Sequence, residues 1–102
     1  MARFDIFVNP NKAATHALYV DVQSDFVRLS TRWCIPLRRH VPSQPIVQGA
    51  QALIEIDQQE YVMDTANLLA VPASLLRQRA GRLSPSEQLI AESCIEFMLR
   101  GY

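Results

Sequence analysis

From Phe4 to Asp64 the apolar residues of this chain recur mostly at every second position, in short runs closed by Pro, Gly, Asn or Asp. Only after Leu83 does the spacing lengthen to that of a helix. Period two sends successive side chains to opposite faces of an extended chain, so the runs read as half-buried strands. A parallel sheet needs a long crossover, usually helical, between its strands. The links here leave no room for one. The chain is therefore expected to be α+β: an antiparallel, strongly twisted sheet or small barrel, with a helix packed across one face.

Taken in order, Phe4, Ile6 and Val8 alternate with Arg3, Asp5 and Phe7, and Asn9-Pro10-Asn11 ends the first strand. Leu18, Val20 and Val22 alternate with Tyr19, Asp21 and Gln23 in a second, and 25–31 reads as a loop. Trp33, Ile35 and Leu37 alternate with Arg32, Cys34 and Pro36 in a third. Because proline has no N–H to give a ladder, Pro36 predicts a sheet edge or a bulge. The stretch 38–49 holds Pro42, Pro45 and Gly49 and reads as an insertion or flap. Ala52, Ile54 and Ile56 lead into Gln58-Gln59, and 60–64 runs back, a hairpin without the favoured Asn-Gly turn. One helical turn fits 73–78, and Arg77, Arg79 and Arg82 form a basic link to the last element.

That last element carries a full start signal. Ser84 stands at the N-cap, Pro85 at the first helical position and Glu87 at the third, a capping box. At about 100° per residue, Ile90, Cys94, Phe97 and Met98 share one stripe, the expected core face. Ile95 and Leu99 fall outside it, beside Gln88, Glu92 and Glu96. Either they are partly buried at the stripe's edge, or the helix serves a second surface belonging to a partner. Gly101 is a natural terminator.

A length of 102 residues fits a single domain, 1–102. Ten basic and ten acidic residues cancel, so no net attraction to nucleic acid or to an anionic membrane is built in. No apolar run approaches the roughly 18–20 residues of a membrane span. Met1-Ala2-Arg3-Phe4 leads straight into strand-like sequence, so no targeting segment is expected and a cytoplasmic location is. Cys34 and Cys94 lack CxxC spacing and read as buried, reduced thiols. With only His16 and His40 beside them they make a poor metal set, and no cofactor is expected.

Catalytic candidates are thin. Ser24 lies between Asp21 and Asp25 but in no nucleophile elbow. Asp21 and Asp25 share a strand face, as an acid–base pair or as acids capping the following loop. Arg38-Arg39-His40 reads as a phosphate grip or as a solvated loop, and His16 as a surface residue. There is no phosphate-binding loop, dinucleotide fingerprint or zinc spacing. The chemistry favours a binding module over an enzyme.

The run Tyr19-Val20-Asp21-Val22-Gln23-Ser24-Asp25 resembles the CcdB family, the gyrase-poisoning toxins of plasmid and chromosomal toxin–antitoxin pairs. The resemblance continues through Arg32, Ile35-Pro36-Leu37, Ile54-Glu55-Ile56, Tyr61-Val62-Met63, Val71-Pro72 and Leu83-Ser84 to the closing Phe97-Met98-Leu99 and Gly101. It implies a strongly bent antiparallel sheet, a small SH3-like barrel of the CcdB/MazF type, with an accessory small sheet and a C-terminal helix. It further implies a homodimer that binds the A subunit of DNA gyrase through the helix end, trapping cleaved DNA, and a small CcdA-like antitoxin that reverses this. Carried onto this sequence, the gyrase-facing tip is Leu99-Arg100-Gly101-Tyr102 with Glu96 one turn earlier. The antitoxin surface is Phe26-Val27-Arg28, apolar bait unless it tucks back under the sheet. Ile95 and Leu99 fall to the dimer interface. The ending departs from the family's usual Trp-Gly-Ile, since Arg100 stands at the tryptophan and Tyr102 at the isoleucine. Two alternatives share the architecture: a MazF-like toxin that cleaves messenger RNA, with Arg32, Asp21 and His16 as its acid–base set, and a non-toxic dimer that only binds an antitoxin.

Overall fold

The computed structural model describes residues 1–102. Seven strands and one long helix follow in the order β1 (Asp5–Val8), β2 (His16–Asp21), β3 (Thr31–Arg39), β4 (Gln51–Ile56), β5 (Gln59–Asp64), β6 (Leu69–Pro72), β7 (Arg79–Arg82) and α1 (Pro85–Arg100). Short 3-10 turns at Thr65–Asn67 and Ala73–Leu75 flank β6. Every strand pairing is antiparallel, in the order β4-β5-β3-β2-β1-β7, with β6 joined to β3 off this path. The sheet curls into a half-barrel with α1 across it, the α+β architecture the alternation predicts.

β3 is the axis of the sheet. Its first half, Thr31 to Cys34, pairs with β6, and its second half, Leu37 to Arg39, pairs with β5. The accessory part is one arm of this fork, the β4–β5 hairpin. Pro36 is thus neither at an edge nor at a bulge. It pairs with Tyr19 on the β2 side and sits where the other side changes partner, so no ladder bond there needs its missing N–H.

The register lines up the apolar positions. Ile6 faces Val20, which faces Ile35; Leu18 faces Leu37, which faces Met63. Together with Ile54, Tyr61, Leu83 and Ala91 they form the main core under the helix. A second cluster of Phe7, Cys34, Val71 and Leu76 lies on the opposite face, which is why both faces of central β3 are buried.

Three local features differ from expectation. The hairpin turn is centred on Asp57 and Gln58, with φ of 50° and 66°, the primed geometry that matches strand twist. The basic link is itself β7, paired with β1 and held by Arg79 and Arg82 on Asp5. The helix starts at the capping box as expected, with Ser84 accepting from Glu87 and Glu87 from Ser84. Its core stripe, however, is rotated. Ala91 and Cys94 are buried and Ile95 packs against the core, whereas Ile90, Phe97 and Met98 stay exposed. The small Ala91 and Cys94 side chains let the helix settle close to Thr65–Asn67 and β4, and the bulkier residues are turned outward.

Candidate partner-binding site

The end of β2 and the start of β3 are cross-linked by ionised groups. Asp21 is completely buried and accepts from Arg32 Nε at 2.8 Å and from the Gln23 N–H at 3.1 Å. Burial pushes the Asp21 carboxyl above its usual range, an effect that Arg32 opposes. Arg32 also reaches Asp25 Oδ1 at 3.1 Å and the Gln23 carbonyl at 3.3 Å. Asp21 and Asp25 are therefore brought together, but around a guanidinium that occupies both, an internal brace rather than an acid–base pair.

This brace carries the loop at 22–30. Val22 at its start joins the main core, but Phe26, Val27 and Leu29 do not tuck under the sheet: Phe26 is 96% exposed, and Val27 and Leu29 are also open to solvent. Beside them lies a cleft of about 350 Å³ lined by Arg3, Val22, Val27, Trp33, Leu68 and Ile95, among others. Arg28 is exposed next to Val27.

The second surface is the helix end. Leu99 is 74% and Tyr102 81% exposed. Gly101 takes φ 82°, and its N–H closes the helix on the Phe97 carbonyl at 2.7 Å. That left-handed conformation suits glycine, and no atom within 4 Å would meet an added Cβ, so the backbone there is bare. Glu96 and Arg100 pair at 2.9 Å across one turn, both largely exposed. Tyr102 also lines a separate groove of about 630 Å³, with Gly49, Leu89, Ile90 and Phe97. Gly49 beside it takes φ 93°, a left-handed backbone that favours glycine, and an added Cβ would stand 3.1 Å from the Phe97 ring. Of the two residues assigned to the interface between copies, Leu99 stands clear of the protein. Ile95 is half-buried, one side on the core and the other lining the cleft.

The proposed RNA-cleaving set is not assembled. Asp21 and Arg32 are taken up by each other, and His16 opens the same strand that Asp21 closes, some 16 Å away at about 3.3 Å per residue. Ser24 Oγ accepts from the Phe26 N–H at 3.3 Å and has no base beside it. Arg38 is bonded to Gln44 and His40 to Glu60, so the basic triplet does not converge. Cys34 and Cys94 are buried and unpaired, and burial first, then the charge of Asp21, pushes the Cys34 thiol up to about 12. No three His, Cys, Asp or Glu side chains are grouped to hold a metal ion. No helix is long and apolar enough to cross a membrane.

The cleft has no signal in the sequence. Trp33, which alternates in phase with buried Ile35 and Leu37, is half exposed and lines the cleft. Arg3 contributes here too, with no sequence pattern that marks it. Its Nε donates to the Val22 carbonyl at 3.0 Å, its N–H to Asp25 Oδ1 at 3.0 Å, and its guanidinium lies over the Phe4 ring.

A family model described as CcdB protein matches residues 3–101. No curated protein matches the chain.

Proposed function

Since the chain belongs to the CcdB family, toxins of toxin–antitoxin pairs of the gyrase-poison type and not a known enzyme family, we propose that it binds the A subunit of DNA gyrase and traps the enzyme on cleaved DNA. The observation that carries this reading is the uncovered helix end. Leu99 and Tyr102 are displayed on either side of a bare Gly101, on a helix firmly capped at both ends. Such a rigid, partly apolar plug loses little freedom on docking. Arg100 stands where an aromatic anchor is expected from the resemblance. Its planar guanidinium can stack on an aromatic face or pair bidentately with a carboxylate once it leaves Glu96.

The acting species is a homodimer in which Ile95 and Leu99 meet the second copy beside the cleft. Two helix ends next to one axis then present a double plug. Phe26, Val27 and Arg28 form the surface for a small CcdA-like antitoxin, whose disordered segment folds on binding. The site of action is the cytoplasm, where gyrase works, and the pair serves maintenance of the DNA that encodes it.

The test is incubation with gyrase, supercoiled plasmid and ATP, followed by detergent and protease. Linear DNA is expected in proportion to added protein. A plasmid that stays closed circular at saturating protein contradicts the reading.

A further inference from the structure

We propose that Asp25, with Gln23, is a positioning residue for partner binding: it holds the turn at 24–27 so that Phe26 is displayed in its binding conformation. This rests on the role of that loop proposed above. An apolar cleft walled by Val22, Val27, Leu29 and Trp33 lies against the same loop and offers its apolar side chains a place out of water, but the Phe26 ring does not line it. The ring is 96% exposed. The restraint is visible bond by bond. The Gln23 side-chain amide spans the loop, accepting from the Trp33 N–H at 3.1 Å and donating to the Val27 carbonyl at 2.9 Å. Asp25 Oδ1 ties the turn's outer side to Arg32 at 3.1 Å and to the Arg3 N–H at 3.0 Å. Arg32 is itself fixed on buried Asp21, so the chain of bonds ends in the core. Within the turn, Ser24 accepts from the Val27 N–H through its carbonyl at 3.0 Å and from the Phe26 N–H through its hydroxyl. The consequence is pre-organisation: the anchor is ordered before the partner arrives.

The test is a double-mutant cycle on the full chain with Asp25→Ala, Phe26→Ala and the pair, titrated with a CcdA-like antitoxin that binds the unaltered chain. Phe26→Ala is expected to weaken binding about thirtyfold, as for an interface anchor. Asp25→Ala is expected to weaken it about tenfold by releasing the turn. The pair should bind no more weakly than Phe26→Ala alone, because Asp25 acts through Phe26. Asp25→Asn, which keeps an acceptor oxygen, should restore most of the affinity. In the free protein, Asp25→Ala should accelerate amide exchange at Val27 while lowering the thermal midpoint far less than Arg32→Met does, since the Asp25 side chain is half exposed and Arg32 keeps Asp21. Additive effects, or a harmless Asp25→Ala beside a damaging Phe26→Ala, overturn the positioning role. So does unchanged Val27 exchange. A harmless Phe26→Ala instead removes the loop reading itself, and the positioning role with it.

Discussion

The brace between Asp21 and Arg32 makes the most severe single-site prediction. Arg32→Met keeps the apolar stem but removes the guanidinium, leaving a carboxylate with no exposure and only the Gln23 N–H as donor. Breaking a buried pair from one side costs about 3–5 kcal/mol, because the surviving charge has lost both water and partner. Domains of this size have about 5–15 kcal/mol in total. At about 4–8 °C per kcal/mol, a loss of 3 kcal/mol lowers the thermal midpoint by about 12–24 °C. Burial already raises the Asp21 pKa against the opposition of Arg32, so removing Arg32 raises it further. The sign follows: the folded variant holds a proton that the unfolded chain, near 3.8, releases. Stability therefore falls as pH rises from the unfolded towards the folded pKa, and the deficit is largest at neutral pH. Urea unfolding followed by the fluorescence of Trp33, at about pH 5 and about pH 7.5, measures both effects. Adding Asp21→Asn should return part of the loss. A deficit below about 1 kcal/mol, or one independent of pH, would refute a buried, charge-dependent brace.

Other positions give smaller and independent effects. Gln58→Gly should stabilise the protein by about 0.5–1 kcal/mol, since φ 66° strains a side chain but not glycine; a lowered urea midpoint contradicts this. Burial pushes the Asp5 carboxyl up, but the Ala2 N–H, Arg79 and Arg82 outweigh it and hold it below 3.8. Its stabilisation is present above that value and is lost as pH falls through the lowered folded pKa. Asp5→Asn should accordingly melt lower at neutral pH and lose less on acidification than the parent, and parallel acid profiles would show the ion pairs to be inert. Thr65 Oγ1 is buried without a nitrogen or oxygen partner, so Thr65→Val should gain about 1 kcal/mol in urea unfolding; an equal loss would reveal a bond to the neighbouring Cys94 thiol.

Much of the fold is legible because its signals are local. Alternation marks the strands that carry the core, and Ser84, Pro85, Glu87 and Gly101 mark both ends of the helix. β7 is invisible because Arg-Ala-Gly-Arg shows no apolar alternation; only Ala80 packs on the core, and backbone pairing and the reach of two arginines to Asp5 hold the rest. The helix stripe is ambiguous because apolar residues cover most of its circumference, and the decision falls to how closely small Ala91 and Cys94 approach the sheet. Proline's ladder rule is obeyed at Pro36, but by a change of partner that only the topology reveals. The helix tip is readable because it follows a cap signal. The cleft is not, since Arg3, Val22, Trp33, Leu68 and Ile95 come from five places in the chain and meet only after folding.

The most direct measurement of the central claim is gyrase-dependent DNA linearisation by a chain shortened by Arg100, Gly101 and Tyr102, beside the full chain at matched concentration. The account predicts linear DNA with the full chain and none with the shortened one, at the same thermal midpoint and with the same mass in solution. Equal linearisation by both would contradict it, because a plug without its tip cannot hold the enzyme.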